Sequence, residues 1–273
     1  MLWRGPPGVF EDVVRPRLLA PSAELMLDAL PPLVPQMRFL EVQAGGGVVS
    51  RPLVERIAGL GRLVSVDDDG ALASTLPAAP RRAARAVAEA LSLPFSDGSF
   101  DVVMGNLVLG RSASHDAALL SEVARVTKSA GTFITAVLVA GSFEALVQIA
   151  SEVADARGEN DLKSALGVAA DRLPTVPSVL TRLTQAGLKP AHAGTTEQLL
   201  GLYRGDEVRA DPLLVSVILA GLIDGIGDSD ALNEALTRIA PALAQTVDGW
   251  FSDGMPVVAH TVIVSSRAER RRS

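Results

Sequence analysis

Apolar positions along this chain follow two rhythms, short unbroken runs and longer stretches with apolar residues three or four apart, and the switching between them predicts alternating strands and helices. Residues 38 to 42 form a first strand, and after the glycines that follow, Leu53, Val54, Ile57 and Leu60 recur at helical spacing up to Gly59-Leu60-Gly61. Leu63 to Val66 reads as a second strand, Ala71 to Leu76 as a brief helix and Ala83 to Ala88 as a third strand. Asp97-Gly98-Ser99 is a turn signal that opens a fourth strand, Phe100 to Asn106. Leu119, Leu120, Val123 and Val126 mark an amphipathic helix over Ala117 to Val126, and Phe133 to Val139 is a nearly all-apolar fifth strand that belongs at the centre of a sheet. Such alternation predicts an open, doubly wound α/β sheet with helices on both faces.

The pattern loosens after residue 140. Phe143 to Val153 is helical, residues 155 to 175 are polar and mixed, Val179 to Ala186 is a helix closed by Gly187, and Lys189 to Thr195 is a sixth strand. Leu199 to Gly227 holds apolar helical segments broken by Gly and Pro, followed by a helix through Leu232, Leu236, Ile239, Leu243 and Val247 that Pro241 interrupts. Val257 to Ser265 is the last strand. Ahead of the first strand, Trp3 to Arg17 reads as an irregular lead-in, and a short helix begins at Pro21 or Ser22 and stops at Pro31-Pro32. The chain divides into a lead-in and covering helix (1–37), a core (38–140), helical insertions with later sheet elements (141–256), and a last strand with a basic tail (257–273). The run Leu213 to Ile223 (LLVSVILAGLI) is either a core helix of the insertion or a surface for a partner, and its exposure decides between them.

A chain of 273 residues with 48% hydrophobic residues can bury a full core without staples. It has no cysteine, which excludes disulfides, thiolate ligands and a cysteine nucleophile, and three scattered histidines give no metal-ligand spacing. A net charge of −6 argues against a general nucleic-acid surface. Two small basic clusters remain, Arg81, Arg82 and Arg85 between elements and Arg267, Arg270, Arg271 and Arg272 in the tail. The N-terminal sequence lacks an export signal's apolar core, and the longest apolar run is too short to span a bilayer, so the expectation is a cytoplasmic protein with no membrane partner.

The chemistry concentrates where the first strand runs into glycines, Phe39 to Gly47 (FLEVQAGGG). A turn without Cβ atoms at the carboxyl end of a parallel strand lets a ligand lie against bare main chain, although a tight strand-to-helix turn needs the same residues. The acidic triplet Asp67-Asp68-Asp69 ends the second strand, where a nucleotide-type cofactor finds a partner for its ribose and where a helix N-cap is equally at home.

In order along the chain, Glu41-Val42-Gln43-Ala44-Gly45-Gly46-Gly47, Asp67, Glu89-Ala90-Leu91-Ser92-Leu93-Pro94-Phe95, Asp97-Gly98-Ser99-Phe100-Asp101-Val102-Val103 and Glu122-Val123-Ala124-Arg125-Val126-Thr127-Lys128 resemble the motifs of the class I S-adenosylmethionine-dependent methyltransferases, closest to the branch called methyltransferase type 11. The resemblance covers about residues 38 to 140. It implies a Rossmann-like seven-stranded sheet with a reversed last strand, S-adenosylmethionine as cofactor, and cofactor contacts from Glu41, Gln43, Gly45, Gly47, Asp67, Glu89 and Asn106. The chain departs from the pattern in its ligand-side loops. Gln43 replaces the loop's first glycine, Gly110 stands where the family often has His, and Ser129-Ala130 replaces the Pro-Gly of a Pro-Gly-Gly turn.

Methyl transfer from a sulfonium needs positioning more than acid–base help, so a strong catalytic signature is not required. His115, after the fourth strand, is a candidate base, with Tyr203 and His192 behind it and His260 structural inside the last strand. Two functions follow: a methyltransferase for a small apolar acceptor selected by residues 141 to 256, or an inactive methyltransferase-fold protein that binds or scaffolds a protein partner.

Overall fold

Among the residues described by the computed structural model, 8–57, 59–78 and 82–269, seven strands form one sheet. They are β1 (Met37–Val42), β2 (Gly61–Asp67), β3 (Ala83–Val87), β4 (Phe100–Asn106), β5 (Thr127–Leu138), β6 (Leu188–Tyr203) and β7 (Met255–Ala268). Their order across the sheet is β3-β2-β1-β4-β5-β7-β6. Strands β1 to β5 run parallel, while β7 is antiparallel to both of its neighbours. The chain reverses direction beside β1, between β1 and β4, and in a sheet of this kind such a switch opens a crevice at the carboxyl ends of the strands.

The helices are α1 (Ala20–Asp28), α2 (Ser50–Arg56), α3 (Gly70–Thr75), α4 (Ala113–Val126), α5 (Glu144–Ala156), α6 (Asn160–Arg172), α7 (Val176–Gln185), α8 (Gly205–Ala210), α9 (Ala220–Ile223) and α10 (Ser229–Trp250). Successive strand residues face opposite ways, and so the apolar runs supply two cores at once. Phe39, Leu63, Met104 and Ile134 join the core that also contains the N-terminal helices, α5, α6 and α10. Their neighbours Leu40, Val103 and Phe133 face the other way, into a core closed by Leu119 and Leu120 of α4 and Leu183 of α7.

Strand and helix positions through residue 140 agree with the hydrophobic pattern, and the differences lie outside the sheet's centre. Residues 10 to 17, expected to be irregular, belong to a π-helical stretch (Phe10–Leu19) that runs directly into α1. Phe10, Val14 and Leu18 bury one face of it, a stripe that Pro16 and the flanking charges obscure in sequence. The polar segment 155 to 175 contains α6, which buries Leu162, Ala165, Leu166 and Ala169 at a spacing of three and four, with small alanines as half the stripe. Leu199 to Tyr203, read as the start of a helical region, extends β6 to 16 residues, because β7 continues past β5 and pairs with it. Arg85 lies within β3 and not between elements. Trp3 to Pro7, Arg81 and Arg270 to Arg272 fall outside the described residues.

The Leu213 to Ile223 run is core. Leu213, Leu214, Val217, Ile218, Leu219, Leu222 and Ile223 are all buried, in a π-helical stretch (Leu213–Leu219) followed by α9. The reading of this run as a partner surface is therefore overturned. No helix among the described residues is long and apolar enough to cross a membrane.

Helix α8 docks on α10 through Gly205, whose N–H donates to Asp248 Oδ1 at 2.7 Å. A Cβ at residue 205 would run into the Ala244 carbonyl and the Asp248 carboxylate. Gly205→Ala is expected to destabilise the fold by about 1–3 kcal/mol, measured as a lowered urea midpoint, because backbone on the facing helix must move.

Candidate functional site

Three parallel strands, β2, β1 and β4, end side by side, and the segments leaving them form the site. The loop after β1 turns by left-handed backbone, with φ of +50° at Gln43, +49° at Gly45, +74° at Gly46 and +86° at Gly47. Left-handed conformation costs a residue with a Cβ roughly 1 kcal/mol, so Gln43 keeps a glycine-type turn without being glycine. The turn folds onto β2. Ala44 N–H donates to the Val66 carbonyl at 3.0 Å, and Gly45 N–H donates to Asp67 Oδ2 at 2.8 Å. Asp67 is fully buried, and its Oδ1 also accepts the Asp69 N–H at 3.0 Å. Asp69 in turn caps α3 by accepting from Ala71 and Leu72. The two readings of the acidic triplet are thus divided between its members, Asp67 facing the loop and Asp69 capping the helix.

Over this turn lies the N-terminal helical segment. A Cβ on Gly46 would stand 3.0 Å from Glu11 Oε1 and 3.3 Å from Phe10 Cε1, so only bare backbone fits beneath that helix. Asn106, at the end of β4, is tied to the same segment: its Nδ2 donates to the Leu19 carbonyl at 2.9 Å and its Oδ1 accepts from Ser22 Oγ at 2.7 Å. Farther along, Arg17 donates to Asp211 Oδ2 at 2.6 Å and to the Tyr203 hydroxyl, and its carbonyl accepts from Gln198 Nε2 at 2.7 Å. Tyr203, considered a candidate base, is held in this latch, and burial pushes its hydroxyl up to about 12. Gln43 is 7% exposed and the three glycines are buried. The N-terminal segment thus covers both the glycine loop and the end of β4.

Glu41 is the buried acid of the site, 2% exposed. Burial raises its carboxyl to about 7, opposed by the Ser50 and Ser65 hydroxyls and the Val49 and Ser50 amides. Its Oε2 and both hydroxyls nonetheless fall short of hydrogen-bond geometry. Glu89 is exposed just past β3, next to Ala88, whose N–H donates to the Asp67 carbonyl at 3.0 Å. The structure therefore brings Glu41, Gln43, Gly45, Gly47, Asp67 and Asn106 together, with Glu89 at the margin.

His115 does something else. It sits in the first turn of α4 beside Asp116, and burial lowers its pKa more than that carboxylate raises it. Asp116, which has no motif signal, is fully buried, accepts the Gly110 N–H on both oxygens and pairs with Arg182 at 2.7 Å. That pair pins the Gly110 turn, whereas His115 Nδ1 is buried without a hydrogen-bond partner. His192 is exposed on β6, and His260 Nδ1 lies 3.5 Å from Glu197. Glu122 and Arg125 also have a structural task, Arg125 holding the Leu93 and Phe95 carbonyls of the 88–99 connection.

Sequence reasoning missed two further features. Leu107 at the end of β4 and Phe143 before α5 are left-handed, with φ of +52° and +62°, so strained residues follow β1, β4 and β5 at the same end of the sheet. Nothing in an ordinary Leu or Phe announces such a conformation. Beyond β5 lies a cavity of about 470 Å³, walled by Ser142, Val147, Leu166, Leu173 and Leu222 with Gln148 at its side, and Leu173 and Leu222 also line a narrow cleft leading to Gly110 and Leu138.

Strand order, reversed β7, glycine turn and buried acid together define the Rossmann-like fold of class I methyltransferases. Residues 40–135, about a third of the chain, match the family model described as a methyltransferase domain. No curated protein sequence matches the chain. Among solved structures, the chain resembles a candidate methyltransferase complexed with the Haloferax volcanii Trm112 methyltransferase activator (TM-score 0.57, 16% identity, 97% of this chain and 95% of that one). It also resembles a candidate methyltransferase from Bacillus halodurans C-125 (TM-score 0.56, 14% identity, 92% and 100% covered). A third match is the [4+2]-cyclase SpnF (TM-score 0.54, 14% identity, 90% and 80% covered). At these identities the likeness establishes the fold.

Burying Glu41 has a measurable consequence. Its folded-state value of about 7 lies above the ordinary 4.5, so the penalty is absent below pH 4.5 and complete above pH 7. Wild-type stability is expected to fall by about 3 kcal/mol relative to Glu41→Gln as pH rises through that window, read from urea unfolding at pH 5 and pH 8.

Proposed function

We propose that this chain is an S-adenosylmethionine-dependent methyltransferase whose cofactor crevice is closed by its own N-terminal helical segment. The observation that carries the reading is the close approach of Phe10 and Glu11 to Gly46, directly over a glycine turn bonded to Asp67. The turn and the acid fit the cofactor in kind: bare main-chain amides for its amino-acid portion and a carboxylate at the tip of β2 for its ribose. They fit it in space only when the N-terminal segment has moved. Gly45, Gly47 and Asp67 would then hold the cofactor from one side, with Glu89 at its nucleoside end and Asn106, released from Ser22 and Leu19, on the other. When bound, S-adenosylmethionine supplies an activated methyl group, so this chain's residues need only orient an acceptor and exclude water.

The cavity beyond β5, mostly apolar with a few polar groups, suits a small apolar acceptor. His115 lies beside Asp116, with Nδ1 3.7 Å from its carboxylate, and is not among the residues lining that cavity. Opening can come from within, by release of the Arg17 latch, or from a protein partner; the structurally similar candidate methyltransferase is in complex with the Haloferax volcanii Trm112 methyltransferase activator.

A second reading has its own observation. Gln43 is buried in the turn, and a side chain held there leaves no room for close approach of the cofactor. On that reading the chain is a binding or scaffold protein on a methyltransferase fold, a fold on which the cyclase match shows that another chemistry is also found.

Calorimetric titration with S-adenosylhomocysteine separates the two. Wild type is expected to bind weakly, Arg17→Ala to bind about tenfold more tightly because a larger fraction of molecules is open, and Gln43→Gly to bind more tightly than wild type. Absence of binding by all three at millimolar concentration removes the methyltransferase reading and leaves the second.

A further inference from the structure

At the opposite end of the sheet from the glycine loop, three arginines stand in a row. Arg38 on β1 is paired in register with Arg62 on β2. The β2–β3 register opens with Leu63 beside Ala83, and the Leu63 N–H donates to the Arg82 carbonyl at 2.8 Å, which puts Arg82 beside Arg62. Register partners point to the same face, and strands lie about 4.8 Å apart, so the three side chains emerge together as immediate neighbours. All three residues are exposed.

Like charges at adjacent register positions repel, and a fold normally relieves them with carboxylates. Here it does not. Among the described residues none of the three guanidiniums has an ion pair, although Arg17, Arg56, Arg125, Arg182 and Arg238 all do. Asp101, approaching from β4, accepts the Arg38 backbone N–H at 2.8 Å and is paired with Lys128 at 2.7 Å. Nearby Arg85 turns its guanidinium to the Ser74 and Leu76 carbonyls.

The row edges a groove of about 520 Å³ floored by Val64, Ala84 and Phe100. Residues 88–99, which connect β3 to β4, carry no helix, so the face of β1 to β3 that continues from Leu40 and Val42 is left open at its amino end. The Arg38 guanidinium lies 5.4 Å from the centre of the Phe100 ring, which holds its plane. A groove of this volume is of the size that takes a small molecule, and three guanidinium forks side by side match adjacent phosphoryl groups bidentately. The net charge of −6 and the three-residue width of the row disfavour an extended nucleic acid.

We infer that the groove edged by Arg38, Arg62 and Arg82 is a binding site for a compact anion carrying two or more phosphoryl groups, as in a nucleoside triphosphate or inorganic triphosphate. The inference is independent of the cofactor crevice, which lies at the carboxyl ends of the strands.

The test is calorimetric titration of the full-length protein with inorganic tripolyphosphate and, separately, with ATP, at low and physiological salt. Saturable one-to-one binding that weakens with salt is expected, reduced about tenfold by Arg62→Ser or Arg82→Ser alone and lost in the double variant. Arg238→Ser, whose guanidinium is paired with Glu159, should leave it unchanged. Binding of tripolyphosphate and ATP alike points to the phosphate chain as the ligand, and tighter ATP binding adds a contact from the apolar floor. The inference is overturned if neither probe binds at millimolar concentration, if the double variant binds as well as wild type while its urea midpoint is unaltered, or if sulfate binds as tightly as tripolyphosphate. Arginine-dependent binding of single-stranded RNA without binding of tripolyphosphate would overturn it too.

Discussion

The hydrogen bond from Gly45 N–H to the buried carboxylate of Asp67 is the contact on which the carboxyl end of this sheet depends. A carboxylate removed from water must be met by donors, and here they include the Gly45 amide, from a turn that has to bend back over β2, and the Asp69 amide just past the strand. To reach that position the backbone passes through left-handed conformations at Gln43, Gly45, Gly46 and Gly47, and the glycines let it lie flat under the N-terminal segment. Loop, acid and covering helix are one arrangement.

The sheet gives that arrangement its place. Parallel strands bring the ends of β2, β1 and β4 level, and the reversal of winding beside β1 leaves a gap between the connections that follow them. Helices α5, α6 and α9 then wall a cavity past the end of β5, while Asp116 and Arg182 fix the Gly110 turn between the two regions. At the amino ends, where no such crevice exists, the missing helix between β3 and β4 exposes the arginine row. The two ends of one sheet thus present different chemistry, a buried acid with amides at one and a row of exposed arginines at the other.

Much of this was legible in order along the chain. The strand runs, the glycine turn, the acid at Asp67 and the Glu122 and Arg125 pair all announce themselves through local pattern, and each takes its expected element. The departures from the family pattern are instructive in a different way: Gln43 and Ala130, standing where glycines are usual, both retain left-handed backbone, with φ of +50° and +61°. Gln43 in the turn after β1 and Ala130 within β5 hold these conformations against local preference, at a cost of roughly 1 kcal/mol each. The N-terminal π-helical stretch and α6 were not legible, because a short stripe interrupted by Pro16 or built from alanines is too weak a periodic signal.

By itself the sequence determined the class of fold and the residues at the tips of β1 and β2, since burial periodicity and turn chemistry act between near neighbours in the chain. Tertiary structure decided the rest. That Phe10 covers Gly46, that Ser22 holds Asn106, that Arg17 closes on Asp211 and Tyr203, and that Arg38, Arg62 and Arg82 fall in one row are relations between residues separated by some 20 to 190 positions. No local pattern carries them, because they arise only when strand register and helix docking bring distant segments to the same few ångströms of space.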